Sequence, residues 1–412
     1  MITIKNKKRC CGCGACAQKC PKQCIKMVED KEGFLYPQVD EKLCVACGLC
    51  EKTCPMLASN SPKKALAIYA SINTIEEERM NSSSGGVFIA LAKKVLNENG
   101  VVFGAVYDES WEVYHTYTEK IEGVYAMMGS KYLQSRVEKS FKDAETFLKQ
   151  GRMVLFVGSP CQINGLNSFL KRKEYPNLLA VDFLCHGVPS PGVWRSYLYE
   201  TYTVKQPIRR KAEAGKNTVL LSSLNAKSPI GDIKFRDKNE SGWKKYRFVI
   251  LKKSASKADQ NSVLSSCIHS ADSYMHLFLT DVILRPSCYD CQSKNGRNHS
   301  DLTIGDFWGA KDYVANYDDK GISLVLCHTV KGKEIFKSLD LKNESVTFEQ
   351  AVLHNGGFKE KLAVPSIRKS FFHAFGETKE FYQSKKACEK IALRTRIKKK
   401  LNPFLQMFKR IK

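Results

Sequence analysis

The sequence predicts two fold classes in one chain, a small α+β domain over residues 1–60 and a larger α/β domain over residues 65–375. The first prediction rests on a cysteine pattern that occurs twice near the amino terminus. The second rests on short apolar runs that alternate with amphipathic helical segments. The remaining residues, 376–412, form a basic amphipathic tail.

The composition of the chain is that of a folded globular protein. Hydrophobic residues make up 43% and charged residues 26% of the 412 residues, unlike the composition of a disordered chain. The first ten residues lack the apolar segment of a signal peptide, and no later stretch has enough consecutive apolar residues to span a membrane. We therefore expect a cytoplasmic protein.

The chain contains 17 cysteines, most of them near the amino terminus. Because the cytosol keeps thiols reduced, cysteines at close spacings there more often bind metal than form disulfides. The formal net charge of +24 would suit a nucleic-acid partner. Metal centres bound by several thiolates would, however, add negative charge, so we expect no nucleic acid among the partners.

The pattern C-x2-C-x2-C-x3-C-P begins at Cys10 and again at Cys44, an offset of 34 residues. In bacterial ferredoxins this run holds 4Fe-4S clusters, and the last cysteine of each copy ligates the other cluster. The spacing therefore predicts a ferredoxin-like domain with two clusters. The predicted ligands are Cys10, Cys13, Cys16 and Cys54 for the first cluster, and Cys44, Cys47, Cys50 and Cys20 for the second.

Zinc is the alternative occupant of these sites, because CxxC pairs also bind zinc. Two complete copies of the pattern, each ending in Cys-Pro, favour iron-sulfur clusters instead. Cys11 and Cys24 fall outside the pattern and are predicted to be buried thiols.

Residues 65–373 supply the alternation on which the α/β prediction rests. Buried strands are predicted at residues 153–158, 178–185 and 322–327, and helices at residues 86–99, 135–150 and 161–172. The basic tail suits contact with an acidic membrane surface or an acidic partner. The alternative for the tail is a solvated terminal helix that packs on its own domain.

Loop motifs in the larger domain indicate two binding sites. SSSGGVF, residues 82–88, opens a predicted helix, and free amides at a helix start attract phosphate; a plain helix cap is the alternative. Cys161 lies at a strand-to-helix turn and Cys185 lies just beyond the next strand, where sites in α/β sheets gather. Together with the pair Cys288 and Cys291, these cysteines favour a third metal site over inert core thiols.

Eight short motifs together resemble those of the β subunits of coenzyme F-420 hydrogenases and dehydrogenases, a family that includes the plant 7-hydroxymethyl chlorophyll a reductase. The motifs are SSSGG (82–86), GSKY (129–132), GSPCQ (158–162), CHGVPSP (185–191), FRDK (235–238), GW (242–243), CYDCQSK (288–294) and DLTIGDFWG (301–309). The resemblance runs over nearly the whole chain. It implies an FAD-binding α/β domain with a 4Fe-4S cluster of its own, fused here to the two-cluster domain.

The resemblance also implies roles for individual residues. The implied FAD pyrophosphate cradle is Ser83, Ser84, Gly85 and Gly86, and the residues beside the flavin are Ser130, Lys131 and Tyr132. Lys131 is expected to stabilise an anionic reduced flavin ring, and His186 to donate a proton to the substrate. A surface lysine and a core tyrosine are the alternatives for Lys131 and Tyr132.

The sequence thus predicts an enzyme, an FAD-dependent iron-sulfur oxidoreductase. Its two amino-terminal clusters would exchange electrons with a third cluster and with FAD, which would act on an organic substrate or a deazaflavin-like coenzyme. A redox partner protein or ferredoxin is expected to exchange electrons with the chain. The alternative is a non-catalytic adaptor subunit that passes electrons between docked proteins.

Overall fold

A computed structural model describes residues 1–58, 60–203, 229–253, 262–315 and 317–390. The amino-terminal segment contains the helices α1 (Ala15–Lys19) and α2 (Leu49–Lys52) and the antiparallel strands β1 (Ile25–Glu29) and β2 (Leu35–Val39). Each helix starts after a left-handed glycine, Gly14 or Gly48, both with φ of +71°. These glycines stand at equivalent positions of the sequence repeat, so the two copies begin their helices in the same way.

The strands of the larger segment form one eight-stranded and one three-stranded sheet. They are β3 (Ala67–Asn73), β4 (Val101–Tyr107), β5 (Val113–Thr118), β6 (Val154–Gly158), β7 (Leu178–Phe183), β8 (Ile230–Asp237), β9 (Arg247–Lys252), β10 (Val263–Ile268), β11 (Leu302–Asp306), β12 (Ser323–Cys327) and β13 (Leu341–Ser345). The large sheet has the order β13-β3-β12-β11-β7-β6-β4-β5, and β8 to β10 form the small antiparallel sheet. The four neighbours β11, β7, β6 and β4 are parallel, whereas the outer strands pair antiparallel.

Helices cover both faces of the large sheet, which makes the fold a mixed α/β fold as predicted. They are α3 (Glu76–Asn81), α4 (Val87–Asn97), α5 (Ile121–Met127), α6 (Ser140–Lys149), α7 (Pro160–Phe169), α8 (Pro191–Leu198), α9 (Ser273–Leu279), α10 (Val330–Lys337), α11 (Phe348–Leu353) and α12 (Arg368–Thr378). Residues 381–390 are also helical. Among these helices, none has the length and apolar character needed to span a bilayer.

The predicted strands at residues 153–158, 178–185 and 322–327 correspond to β6, β7 and β12. The helix predicted from residue 135 begins instead at Ser140. The reason is that the preceding residues contact strand β5. Arg136 forms a β-bridge with Tyr114, and the Ser135 hydroxyl lies 2.6 Å from Nδ1 of His115. Residues 391–412, the larger part of the predicted tail, lie outside the described residues.

The amino-terminal segment packs directly on the larger one. Ala15 is fully buried in one hydrophobic cluster with Phe141 of α6 and Leu166 of α7. A Cβ atom added to Gly165 of α7 would lie 2.9 Å from Cβ of Cys13, so only glycine permits this approach. The two segments therefore share a core, which places the first cysteine run against the start of α7.

Candidate functional site

The eight cysteines of the repeat surround two small cavities. The first cavity is lined by Cys10, Cys13, Cys16 and Cys54, and the second by Cys44, Cys47, Cys50 and Cys20. Each run thus lends its last cysteine to the other cavity, which is the grouping that the spacing predicts. Cys11 also lines the first cavity and Cys24 the second.

The chemistry of these linings suits thiolate ligation of a cluster. Burial and neighbouring thiolates raise the pKa of the free Cys16 thiol to about 12, so a nearby cation is needed to hold it ionised. No group of three or more ligand side chains in the described ranges converges closely enough for a single metal ion. A cubane cluster keeps its four sulfur ligands farther apart than one ion does.

A third cavity brings together the four cysteines predicted from the larger domain. Its lining contains Cys161, Cys185, Cys288 and Cys291. Cys161 is in the first turn of α7, Cys185 follows β7, and Cys288 lies in the turn Pro286–Tyr289. Because β6 and β7 are parallel, their carboxyl ends deliver the first two cysteines to the same edge of the sheet.

A much larger cavity, of about 410 Å³, opens at the same edge. It is lined by residues from several segments, among them 82–84, 127–135, 157–159 and 183–188. The volume and the mixture of apolar walls with a few polar groups are typical of a site for a small organic cofactor or substrate. Cys161, Cys185 and His186 line this cavity and the third cysteine cavity at once.

The SSSGG segment lies at one wall of the large cavity. The Ser83 hydroxyl oxygen accepts hydrogen bonds from the amide of Ser130 at 2.6 Å and from its hydroxyl at 2.9 Å, which joins the SSSGG and GSKY motifs. Gly86 precedes α4 in the left-handed conformation, and no side chain caps that helix. Val87 and Phe88 line the cavity, so the uncapped amino terminus of an eleven-residue helix faces it.

Gly85 has a different role from its neighbour. An added Cβ would lie 2.3 Å from the carbonyl oxygen of Ser71 and 2.6 Å from the amide nitrogen of Ser323. Gly85 therefore allows the SSSGG segment to pass close to β3 and β12. Ser82, Ser83, Ser84 and Gly86 line the cavity, and Gly85 does not.

The GSKY motif forms the adjacent part of the wall. The Lys131 ammonium donates hydrogen bonds to the carbonyl oxygens of Met127 at 3.2 Å and Met128 at 3.0 Å, at the end of α5. Desolvation lowers the pKa of Lys131 to about 8. The Tyr132 hydroxyl accepts from Nη1 of Arg236 at 3.2 Å. Both residues line the cavity, with Lys131 held by backbone carbonyls and Tyr132 by a guanidinium.

His186 stands on the boundary between the large cavity and the third cysteine cavity. Its Nε2 atom lies 2.8 Å from Oδ1 of Asp281, within ion-pair distance but without the angle of a hydrogen bond. The imidazole ring meets the Phe278 ring edge-on, with centroids 5.0 Å apart. The imidazole of His186 is therefore accessible from both cavities.

Sequence analysis did not find the ion pair between buried Arg236 and partly buried Asp306 in the wall of the large cavity. Nη1 of Arg236 donates to Oδ2 of Asp306 at 2.5 Å, and Nε1 of Trp243 donates to Oδ1 of the same carboxylate at 3.2 Å. The Arg236 guanidinium also lies over the rings of Tyr246 and Trp308. Arg236, Trp243 and Asp306 belong to the FRDK, GW and DLTIGDFWG motifs, but their pairing depends on the approach of β8 to β11.

Two segments of the chain match known protein families. Residues 151–352 match the family that comprises the carboxy-terminal part of the coenzyme F420 hydrogenase/dehydrogenase beta subunit. Over this segment the chain belongs to that beta-subunit family. Residues 9–58 match the family of 4Fe-4S dicluster domains. The predicted family is therefore confirmed, and the chain is an iron-sulfur protein with the electron-transfer function of this oxidoreductase family.

A more distant likeness appears among solved structures. The matching structure is that of a xenon derivative of the F420-reducing [NiFe] hydrogenase complex from Methanosarcina barkeri. The match has 16% sequence identity and a TM-score of 0.43, and it covers 80% of this chain and 93% of the other. No curated protein matches the sequence.

Proposed function

We propose that this beta-subunit family member is an FAD-dependent oxidoreductase with three 4Fe-4S clusters. The observation that carries the proposal is the shared wall between the large cavity and the third cysteine cavity. Cys161, Cys185 and His186 contribute to both linings. A cofactor held in the large cavity would therefore be a direct neighbour of a cluster held by the four cysteines.

The cysteine cavities support a single order for the electron path. The second cavity is nearest to solvent, because Cys47 is exposed. Cys11 lines both the first and the third cavity, and its thiol interacts with those of Cys13 and Cys161. We infer that electrons enter or leave at the second cluster, and that the first cluster stands between it and the third.

Residues of the large cavity supply what FAD binding requires. The uncapped start of α4 and the hydroxyl groups of Ser83 and Ser84 would hold the pyrophosphate, since helix amino termini attract anions. Lys131 and Tyr132 would line the flavin. Bound FAD would supply the exchange between single electrons and hydride chemistry on an organic substrate or a deazaflavin such as the coenzyme F420 for which the family is named.

Two further roles follow from side-chain position. His186 would hold or donate a proton at Nε2, with Asp281 orienting the ring, because it lines the large cavity from the side of the third cluster. Arg236 would present a fixed positive charge to the large cavity, with the carboxylate of Asp306 as its counter-ion. The partner that exchanges electrons at the second cluster would be a ferredoxin or another one-electron redox protein.

The function is tested on protein purified without oxygen. We expect about one FAD per chain and flavin reduction when reduced coenzyme F420 or a reduced ferredoxin is added, followed by visible absorption in a stopped-flow instrument. Flavin reduction by a protein donor, combined with no turnover of any small-molecule substrate, would instead support a non-catalytic adaptor. Protein that binds clusters and no flavin would contradict the proposal.

A further inference from the structure

Arg285 is a buried cation that contacts the first cysteine run. Its side chain is fully buried. Nε donates to the carbonyl oxygen of Cys10 at 2.8 Å, Nη1 to Oε1 of Gln134 at 2.9 Å, and Nη2 to the carbonyl oxygen of Leu35 at 2.9 Å. The guanidinium also lies over the Tyr36 ring, 4.3 Å from its centroid. All of these partners are neutral.

A buried charge is costly unless an opposite charge lies nearby. Within the described ranges, Arg285 forms no ion pair with a carboxylate, whereas Arg236 pairs with Asp306 and Arg368 with Glu32. Desolvation lowers the pKa of Arg285, whereas Cys10, Tyr36 and Cys11 raise it, with Cys10 the strongest of the three. Nη2 of Arg285 lies 3.6 Å from Sγ of Cys10.

The first copy of the cysteine repeat has a glycine where Arg285 approaches it, whereas the second copy has an alanine at the equivalent position. A Cβ atom on Gly12 would lie 2.8 Å from Nη1 of Arg285 and 2.7 Å from Nε2 of Gln134. The equivalent residue in the second copy is Ala46, which carries a Cβ and is exposed. Neither of the two cavity linings contains an arginine. The difference is that Cys10, a predicted ligand in the first cavity, contacts Arg285, whereas Lys22, which lines the second cavity, is exposed.

We propose that Arg285 is the counter-ion of the first cluster and raises its reduction potential above that of the second. Reduction adds one electron and no proton, so a 4Fe-4S core with four thiolates changes from about −2 to about −3. A fixed positive charge beside a ligand sulfur stabilises the more negative state, and an N–H···S contact acts in the same direction. The inference rests on the proposed function in one respect, namely that the first cavity holds a cluster.

The consequence is a direction for electron flow within the repeat. Two clusters with the same ligand pattern would otherwise have similar potentials, and an electron would have no preference between them. With Arg285 beside the first cluster, an electron that arrives at the exposed second cluster moves inward. The same guanidinium lines the third cavity, so the cation sits where the first and third clusters meet.

The test is a mediated redox titration of the full chain, followed by electron paramagnetic resonance. The signal lost in Cys47→Ser belongs to the second cluster, and the signal lost in Cys288→Ser with Cys291→Ser belongs to the third. We expect Arg285→Gln to lower the ratio of reduced to oxidised first cluster at a fixed potential by at least about tenfold, or ~59 mV for a one-electron couple. The second cluster should keep its midpoint, and Arg285→Lys should retain most of the wild-type value.

Arg368→Gln is the matched control, since that partly buried cation has its own carboxylate partner, and it should leave the midpoint of the first cluster unchanged. An Arg285→Gln protein with wild-type iron content and an unshifted first midpoint would overturn the proposal. If that variant loses iron, pulsed resonance on wild-type protein labelled with ¹⁵N-arginine decides instead. Nitrogen coupling on the signal of the first cluster supports the assignment, and its absence overturns it. Missing flavin would count against the proposed function and leave this result intact.

Discussion

At the scale of single residues, substitutions of Gly86 distinguish the effect of a negative charge on FAD binding from the effect of backbone strain. Its φ of +88° and its distance from Asn73 make any side chain there strained, since an added Cβ would lie 2.8 Å from Cβ of Asn73. Gly86→Asn and Gly86→Asp share that strain and the same shape. The carboxylate alone would repel a pyrophosphate at the start of α4.

We therefore expect Gly86→Asp to bind FAD at least about tenfold more weakly than Gly86→Asn. Flavin per chain after desalting, measured against added FAD, gives the comparison. Equal flavin in the two variants would show that no phosphate lies at the start of α4.

Lys238 is a second residue whose role only the structure reveals. It is buried, and its ammonium donates to the carbonyl oxygens of Arg79 at 2.7 Å, Ser84 at 2.9 Å and Lys320 at 2.5 Å. Lys238 is the last residue of the FRDK motif, which by itself gives the side chain no role. The structure instead makes it a clamp that holds the SSSGG segment, and it does not line the large cavity.

Replacing Lys238 with Met should remove that clamp and lower FAD content, while iron content stays at the wild-type level. A lost buried hydrogen-bonding group costs roughly 1–3 kcal/mol, which is a large share of the stability of a loop. Lys234→Met is the control, because Lys234 is exposed and lies in β8, the strand that Lys238 directly follows. Unchanged flavin binding in Lys238→Met would refute the clamp.

At the scale of elements, the loop of the second cysteine run has the exposure that the proposed electron entry point requires. Leu43 is 56% and Val45 57% exposed, beside the exposed Cys47. Exposed apolar residues around a cluster, on a chain with a formal net charge of +24, suit an acidic one-electron carrier protein.

Val45→Glu should slow reduction of the clusters by an acidic ferredoxin several-fold, and added salt should slow the wild-type reaction. Stopped-flow absorption measures both rates. Leu353→Glu, a change at an equally exposed apolar residue of α11, should have no effect. A Val45→Glu rate equal to wild type would move the docking site elsewhere.

Some elements and contacts could be predicted from the sequence, and others could not. Cysteine spacing predicted the two groups in the amino-terminal segment because ligand geometry fixes that spacing locally. Apolar runs predicted β6, β7 and β12 because these strands are buried on both faces. The predicted start of α6 was wrong, since Ser135 and Arg136 are held by contacts with β5. The Arg285 contact with Cys10 joins residues 275 positions apart, and no local pattern encodes such a pair.

At the scale of the whole molecule, the shared core decides how the third cluster is tested. Cutting the chain near residue 65 would expose the faces of α6 and α7 that pack on Ala15 and Met56. The full chain with Cys288→Ser and Cys291→Ser avoids this exposure. Cys267→Ser is the matched control, because Cys267 lies in β10 and lines none of the three cysteine cavities.

The most direct test of the account is therefore the iron and flavin content of these full-length proteins, combined with electron transfer. Three clusters require about twelve iron atoms per chain and two require about eight. We predict about twelve in wild type and in Cys267→Ser, and about eight in the double variant, which should keep FAD but lose flavin reduction by ferredoxin. Eight iron atoms in wild type, or a double variant whose flavin is still reduced by ferredoxin at the wild-type rate, would contradict a path through the third cysteine cavity.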